Sequence, residues 1–347
     1  MSIALDAVAI ALRRLSGVDP GELLALEGGA SDRWYLRLVG PLAARQGAES
    51  LIVMGIAPRL RAIFDAYLGI RRFLERKGLP VPRVFGEWPA DGLVLLEDFG
   101  DTTMTRALAD WPDDAGLLYD RAIALLARLH ACAEDPGDPS PAFHLSFDVE
   151  KFQYEFGFHV KTWLIERHWQ VEPTPAEREA LELAFAWIPE RLAAQPRVFT
   201  HRDYQSSNLM VRADGSLGVI DFQDARQGLR QYDLASLAWD SYVCLDDAAR
   251  ARMVGAYLRQ VPLDAAALPE ECDLLLRLAA IQRKLHDAGA FVYAAAHRGK
   301  RSFLRFIPDA VATATGLMAG IAECRAAGTI LDDYAGRAAR GSPAERP

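Results

Sequence analysis

The sequence is poor in cysteine, and the few it has are far apart. The four lie at Cys132, Cys244, Cys272 and Cys324, with no CxxC pair among them. A structural zinc site needs closely spaced thiolates or imidazoles, and a secreted disulfide scaffold is smaller and denser in cysteine. The spacing therefore argues against both classes and predicts free thiols in a reducing compartment.

Positive charge and long apolar runs are also scarce. Lysine and arginine number 39 against 47 acidic residues, a net charge of −8, so the basic face that nucleic acid requires is not expected. No apolar run approaches the roughly 20 residues that span a bilayer. The first residues place Asp6 inside an apolar stretch and their arginines on the wrong side for a signal peptide. We expect a cytoplasmic protein without nucleic-acid or membrane partners, and the charge balance is compatible with a cationic or neutral small-molecule substrate; the oligomeric state is not predicted.

Hydrophobic periodicity divides the chain into a strand-rich first part and a helix-rich second part. The first hundred residues show an opening helix, five short strands and one crossing helix, whereas long amphipathic helices dominate afterwards. This pattern predicts an α+β protein, with a small N-terminal lobe on an antiparallel sheet (residues 1–97) and a mostly helical C-terminal lobe (101–335). The linking segment is 95–101, and the polar residues 336–347 are expected to form a disordered tail.

The candidate catalytic and metal-binding residues lie in residues 198–224, VFTHRDYQSSNLMVRADGSLGVIDFQD. Asp203 follows an apolar strand, Asn208 comes five residues later, and Asp221 ends the next apolar strand. Between them, the Asp-Gly pair of ADGS is a hairpin signal, which brings Asn208 and Asp221 side by side. Their amide and carboxylate oxygens suit a Mg²⁺ ion held largely by substrate phosphates, and Asp203 is placed to accept a proton from an attacking hydroxyl. The competing interpretation is a surface hairpin with ordinary turn residues.

The residues near Asp203 and Asp221 are expected to have supporting roles. His201 is expected to pack as scaffold, and Arg202 to pair with a nearby carboxylate. Asp233 either caps a helix or holds the catalytic loop by hydrogen bonds. Asp224 either touches metal or substrate or is an exposed turn residue.

These positions match a known pattern. His201, Asp203, Asn208, Asp221 and Asp233 follow HxDxxxxN…DF…D, and residues 15–325 resemble the aminoglycoside phosphotransferase family, which includes choline and homoserine kinase-like enzymes. Other segments resemble its branch of anomeric kinases, which phosphorylate N-acetylmuramate and N-acetylglucosamine at C1 in cell-wall recycling; they are GGASDRWYLRL, LLEDFGD, IDFQDAR, YDLASLAWDSY and IQRKLHDAGAF. The resemblance implies a bilobal protein-kinase-like fold that uses ATP and Mg²⁺.

The resemblance also implies where the nucleotide binds. LLEDFGD would be the hinge between the lobes, with the backbone of Glu97, Asp98 and Phe99 bonding to adenine. A loop over the phosphates would contain Gly28, Gly29 and Ser31.

One departure concerns the lysine that kinases usually carry on the third strand. That strand reads SLIVMGIAP, with Met54 at the lysine position, and no lysine precedes Lys77. The candidates to hold the phosphates are Arg33 and Arg37, because a guanidinium binds phosphate bidentately. The sugar-kinase branch shares this loss.

Three functions stay open. The first is a C1 kinase of an N-acetylated amino sugar, with Asp203 polarising the anomeric hydroxyl. The second is a kinase of an aminoglycoside, choline-like or other amino alcohol, whose cationic acceptor needs an acidic pocket; the candidate carboxylates are Asp240, Asp246, Asp247 and Glu271. The third is an ATP-binding pseudokinase module, suggested by the missing lysine and opposed by the intact Asp203, Asn208 and Asp221.

Overall fold

A computed structural model describes residues 5–26, 33–57, 60–135, 137, 140–261 and 269–341. Backbone contacts divide the chain into two compact units. The smaller contains Met1–Ala107 and Asn208–Asp224, and the larger contains Leu108–Ser207 and Ala225–Pro347. None of the described helices is long and apolar enough to cross a membrane.

The smaller unit is built on a five-stranded sheet. Its strands run in the order β1-β2-β3-β5-β4, and all neighbours are antiparallel. The strands are β1 Glu22–Ala25, β2 Arg33–Val39, β3 Ser50–Ile56, β4 Val84–Trp88 and β5 Leu93–Glu97. The helices are α1 Leu5–Ser16, α2 Pro41–Arg45 and α3 Arg61–Arg76. The five strands and the crossing helix predicted from the sequence are therefore confirmed.

The two faces of β2 have different partners. Leu36 and Leu38 are fully buried in a core that includes residues of α1, α2, β3 and β5. The alternate positions Arg33, Tyr35 and Arg37 point to the other face. Met54 lies directly opposite Tyr35, and opposed residues of antiparallel strands share a face. The arginines of β2 therefore lie on the same face as Met54.

A hairpin late in the chain also belongs to the smaller unit. Its strands, β7 Leu209–Val211 and β8 Leu217–Val219, pair antiparallel around the predicted Asp-Gly turn. Val211 N donates to Thr102 O and Val219 N to Pro80 O, both at 2.8 Å. The predicted lobe limits placed this hairpin, and residues 102–107, in the C-terminal lobe; these backbone bonds explain why they group with the sheet instead.

The larger unit is mostly helical. Its α- and π-helices are α4 Met104–Asp110 (which begins in the smaller unit), α5 Ala115–His130, α6 Val149–Glu155, a π-helix Phe156–Trp169, α7 Pro175–Ala193, α8 Arg230–Ala238, α9 Asp247–Leu258, α10 Pro269–Arg298, α11 Ile307–Ala319 and α12 Ala322–Gly341. Two short strands, β6 Val198–Thr200 and β9 Arg226–Gly228, pair antiparallel. Together with the antiparallel sheet of the smaller unit, these helices confirm the predicted α+β class.

Two helical segments differ from expectation. The helix predicted over residues 152–169 changes to π winding at Phe156. There it approaches α10 so closely that a Cβ on Gly289 would lie 1.9 Å from His159 O. Residues 336–341, predicted to be disordered, form the last turns of α12, and 342–347 lie outside the described residues.

Candidate active site

The hairpin brings the two predicted metal-binding positions together through the backbone. Ile220 N donates to Asn208 O at 3.1 Å. Asp221, two residues after β8, has φ 64°, a left-handed conformation that non-glycine residues rarely adopt and that concentrates at functional sites. Its side chain is 35% exposed. The turn geometry thus presents a partly accessible carboxylate next to the Asn208 backbone.

Arg33, at the start of β2, binds this carboxylate. Its Nη2 donates to Asp221 Oδ1 at 2.6 Å, and its Nη1 donates to Gln223 Oε1. Gln223 Nε2 donates to the same Asp221 oxygen at 3.2 Å and to Asp224 Oδ2 at 3.3 Å. The Arg33 side chain is only 6% exposed. A guanidinium beside the predicted metal ligand agrees with a phosphate-binding role for Arg33, which stays a prediction.

The other candidate arginine is committed elsewhere. Arg37 Nε donates to Asp98 Oδ2 at 2.5 Å, and its Nη2 lies 2.8 Å from Asp101 Oδ1. Asp98 also accepts from Ser50 Oγ at 2.7 Å and from Gly100 N at 2.8 Å. Burial alone would raise the pKa of Asp98, but the bonds from Arg37 and Ser50 lower it below its ordinary value. Arg37 and Asp98 therefore fasten the chain after β5, which favours Arg33 as the phosphate ligand.

The predicted adenine-binding segment is partly occupied by protein contacts. Glu97 N already donates to Arg83 O at 2.8 Å, so that N–H is not available to adenine. The Glu97 carboxylate lies 3.2 Å from Arg83 and 3.4 Å from Arg212. The Phe99 ring packs so closely on Gly218 that a Cβ there would lie 2.4 Å from it. The loop with Gly28, Gly29 and Ser31 lies outside the described residues, and its phosphate contacts stay a prediction.

Asp203, the predicted base, lies in the larger unit and binds an arginine that the motif did not reveal. Arg283 Nη1, from α10, is 2.7 Å from Asp203 Oδ1, and Arg202 Nη1 is 3.7 Å from its Oδ2. Burial alone would raise the pKa of Asp203, but Arg283, followed by Arg202, holds it well below the ordinary value. The Asp203 side chain is 19% exposed. It is therefore an anionic, partly accessible carboxylate.

Asp233 holds the loop that carries Asp203. Its Oδ2 accepts from His201 N at 2.7 Å, and its Oδ1 accepts from Arg202 N at 2.9 Å. The N-cap of α8 is Leu229, so Asp233 does not cap the helix. His130 Nε2 lies 3.1 Å from Asp233 Oδ2. These contacts agree with the loop-holding role of Asp233, whose carboxylate is itself held by His130.

The other loop residues are also buried or paired. His201 is fully buried, and its Nδ1 accepts from Asp203 N at 3.3 Å. Arg202 has φ 79° and lies 3.4 Å from Glu155. Arg202 therefore has the carboxylate partner that was predicted for it.

Asp240, a predicted substrate residue, binds the backbone of its own unit with both oxygens. Its Oδ2 accepts from Ser206 N at 2.7 Å and its Oδ1 from Tyr242 N at 2.8 Å. Burial raises the pKa of Asp240 above its ordinary value. These contacts support the end of the Asp203 loop and give no sign of a substrate site.

The donor groups near Asp221 suit a magnesium ion held mainly by phosphates. Within the described ranges, no three histidine, cysteine, aspartate or glutamate side chains cluster as metal ligands. A Mg²⁺ ion held mainly by phosphates and water needs only one or two protein oxygens. The partly exposed Asp221 carboxylate and the neighbouring Asn208 position fit that requirement.

Comparisons with known proteins identify the family of the chain. A family model described as the phosphotransferase enzyme family matches residues 22–275. A Pseudomonas aeruginosa protein named N-acetylmuramate/N-acetylglucosamine kinase is 28% identical over 294 residues, covering 84% of this chain and 82% of that protein. A Caulobacter vibrioides protein of the same name is 31% identical over 258 residues, covering 70% and 68%.

Among solved structures, the gentamicin complex of the aminoglycoside phosphotransferase APH(2")-IIa is similar with a TM-score of 0.64. It is 16% identical, and the match covers 94% of this chain and 99% of that one. At this identity the likeness concerns the fold alone, and it confirms the predicted kinase-like fold.

Proposed function

Because the chain belongs to the phosphotransferase enzyme family, we propose that it transfers the γ-phosphoryl group of ATP to the anomeric C1 hydroxyl of N-acetylmuramate or N-acetylglucosamine. The protein is a kinase that uses ATP and a hydroxyl acceptor. The observation that carries the choice of sugar is that relatives named for these two acceptors match over 70% and 84% of the chain. Such an enzyme would act in the cytoplasm, in the recycling of cell-wall amino sugars.

We assign the proton transfer to Asp203. Its carboxylate is anionic because Arg283 and Arg202 lie beside it, so it can accept the hydroxyl proton. His201 and Asp233 fix the backbone on which it stands. Phosphoryl transfer depends mainly on positioning and charge, which is what this rigid loop supplies.

We assign nucleotide phosphate binding to the hairpin of the smaller unit. Asp221 and Asn208 would hold Mg²⁺, which neutralises the charge of the β- and γ-phosphates when bound. Arg33 lies 2.6 Å from Asp221 and supplies the positive charge that a third-strand lysine gives in other kinases. The missing lysine is therefore compatible with an active enzyme.

An amino alcohol acceptor is the second candidate, and the structure offers it little support. A cationic substrate needs unpaired carboxylates, but the four candidates already bind protein groups. Asp240 accepts from Ser206 N, and Asp246 from Ala249 N. Asp247 pairs with Arg250, and Glu271 lies 3.3 Å from Arg191. These partners favour a neutral or anionic sugar.

A substrate panel tests the proposal. The protein is incubated with ATP, Mg²⁺ and either N-acetylmuramate, N-acetylglucosamine, the methyl glycoside of each sugar, kanamycin or choline, and products are read by phosphorus NMR. We expect a 1-phosphate from the free sugars and none from the methyl glycosides, in which C1 is blocked. Asp203→Asn should slow transfer about 10²- to 10⁴-fold, the range for loss of a general base. Transfer only to kanamycin or choline would refute the sugar assignment.

A further inference from the structure

Helix α10 carries three consecutive polar residues in a buried setting. Gln282, Arg283 and Lys284 are 1%, 3% and 4% exposed. Buried charges are costly unless they are paired. The three side chains reach three different partners: Gln282 donates to Glu155 at 2.7 Å, Arg283 binds Asp203, and Lys284 donates to Asp240 O at 3.0 Å. The IQRKLHDAGAF segment thus lies against the Asp203 loop.

Arg283 is held between two carboxylates. Its Nη1 is 2.7 Å from Asp203 Oδ1, and its Nη2 is 3.1 Å from Asp287 Oδ1, one turn further along α10. Asp287 in turn accepts from Ser241 Oγ at 2.8 Å. A planar guanidinium fixed on both sides has little rotational freedom. The orientation of Asp203 is therefore set by α10 as well as by its own loop.

From this geometry, and resting on the proposed function, we propose that Arg283 is a positioning residue that keeps Asp203 anionic and in one orientation, and thereby matches it to a hydroxyl more acidic than an ordinary alcohol, such as an anomeric hydroxyl. An anomeric carbon bears a second oxygen that withdraws electron density, so its hydroxyl releases a proton more readily. Arg283 acts through Asp203.

The proton transfer explains why the basicity of Asp203 should be matched to the acidity of the acceptor hydroxyl. The hydroxyl oxygen forms a bond to the γ-phosphorus, the bond from that phosphorus to the bridging oxygen breaks, and its electron pair leaves with ADP. The hydroxyl proton passes to Asp203 and later to solvent. The titratable and charged groups around Asp203 include Arg283, Arg202, His286, His201, Tyr232 and Tyr242, and the two arginines lower its pKa. A carboxylate of lowered pKa is a weak base, which serves best when the hydroxyl is itself acidic.

Arg283→Gln and Arg283→Lys test the proposal, with Arg277→Gln as the matched control. Arg277 lies on the same helix and pairs with Asp273 at 2.9 Å. We expect Arg283→Gln to lower kcat about 10- to 100-fold, because misplacing a reacting group has effects of that size, with KM for ATP unchanged. Arg283→Lys should recover part of the loss, because it restores the charge, and Arg277→Gln should match the parent.

The pH profile separates positioning from simple destabilisation. In the parent, kcat/KM should stay level as the pH falls toward about 4, the ordinary aspartate value. In Arg283→Gln, an acid limb should appear above that pH, because burial raises the pKa of Asp203 and the nearer of the two arginines that oppose this effect is gone. An unchanged kcat, or a loss with the parent's pH profile and no recovery in Arg283→Lys, overturns the role of Arg283.

Two further measurements keep the outcomes distinct. If Arg283→Gln does not fold, Asp287→Asn weakens the second carboxylate contact of Arg283 and should lower kcat several-fold. An unchanged kcat in Asp287→Asn overturns the proposal. Ratios of variant to parent are taken with whichever hydroxyl the parent phosphorylates. A parent that phosphorylates an ordinary alcohol refutes the proposed function and the match to acidic hydroxyls, whereas a ratio near one refutes only the role of Arg283.

Discussion

Asp221 in the smaller unit and Asp203 in the larger unit each have an arginine within 2.7 Å, but the two pairs are built differently. Asp221 is 35% exposed and its partner Arg33 begins a seven-residue strand. Asp203 is 19% exposed, and its partner Arg283 lies within a 30-residue helix and is braced by Asp287. The first arrangement suits a carboxylate that exchanges partners when nucleotide binds. The second suits a carboxylate that must keep one orientation.

The largest expected effect comes from replacing Asp221, the carboxylate that we expect to exchange its Arg33 contact for nucleotide-bound metal. Asp221→Asn should lower kcat/KM about 10³-fold, because losing a metal ligand costs several kcal/mol of transition-state stabilisation. It should also abolish Mg²⁺-dependent ATP binding in calorimetry, whereas Asp203→Asn should leave that binding intact. Asp214→Asn, in the exposed turn of the same hairpin, is the control. Undiminished Mg²⁺-dependent binding in Asp221→Asn would remove this residue from the metal site.

A smaller effect should separate the two arginines of β2. Arg33→Gln should raise KM for ATP about 10-fold, because a charge-assisted bond to phosphate contributes about 1.5–3 kcal/mol. Arg37→Gln should instead lower Tm by a few degrees and leave KM for ATP near the parent value, since Arg37 is committed to Asp98 and Asp101. Steady-state kinetics and thermal unfolding of both variants provide the measurement. A larger rise in KM for Arg37→Gln would reverse the assignment.

The smallest effect concerns the stability at acid pH of the buried charged groups around α10, among them Glu155 and Asp287. Burial would raise the pKa of Glu155 and of Asp287, but neighbouring groups (His286, Arg202 and Lys151 for Glu155, and Arg283 for Asp287) hold both below their ordinary values. The folded protein then binds fewer protons than the unfolded chain, so stability is full above the unfolded carboxyl pKa of about 4 and falls as the pH decreases through and below it.

Urea unfolding at pH 7, 5 and 4 measures this dependence. We expect a loss of about 1–2 kcal/mol between pH 7 and pH 4, and a shallower dependence in Glu155→Gln. Glu182→Gln, at a side chain 56% exposed, should keep the parent's slope. A stability that rises as the pH falls would contradict the lowered pKa values.

The hairpin half of the site could be read from the sequence because its information is local. An Asp-Gly turn between two short apolar strands fixes the register of Asn208 and Asp221 without reference to the rest of the chain. Arg33 and Arg37 were both candidates from the sequence, and only the contacts of the folded chain, Arg33 with Asp221 and Arg37 with Asp98, distinguish them. The predicted phosphate loop with Gly28, Gly29 and Ser31 also rests on a short stretch of sequence, and its contacts stay a prediction.

The contacts around Asp203 and Asp233 in the larger unit could not be predicted from local sequence. Arg283 lies 80 positions after Asp203, and His130 lies 103 positions before Asp233, and no spacing rule connects residues so far apart. One signal was present: Gln282, Arg283 and Lys284 directly follow the apolar residues 278–281 in α10. Polar residues that are out of phase with a buried helix indicate a partner, although they do not identify it. The π winding after Phe156 was missed because side-chain periodicity does not distinguish it from an α-helix.

The discontinuity of the smaller unit has a consequence for biosynthesis. Its sheet is complete by Ala107, but Asn208–Asp224 follow only after the 100 intervening residues have been made. At about 5–20 residues per second, the ribosome releases the sheet several seconds before the strands that bind Thr102 and Pro80. A fragment cut at Ala107 would therefore lack part of its own unit. Tyr67, whose ring stacks on Phe222 at 5.1 Å, would be without that partner throughout the interval, so this part of the core is completed only after the hairpin has been made.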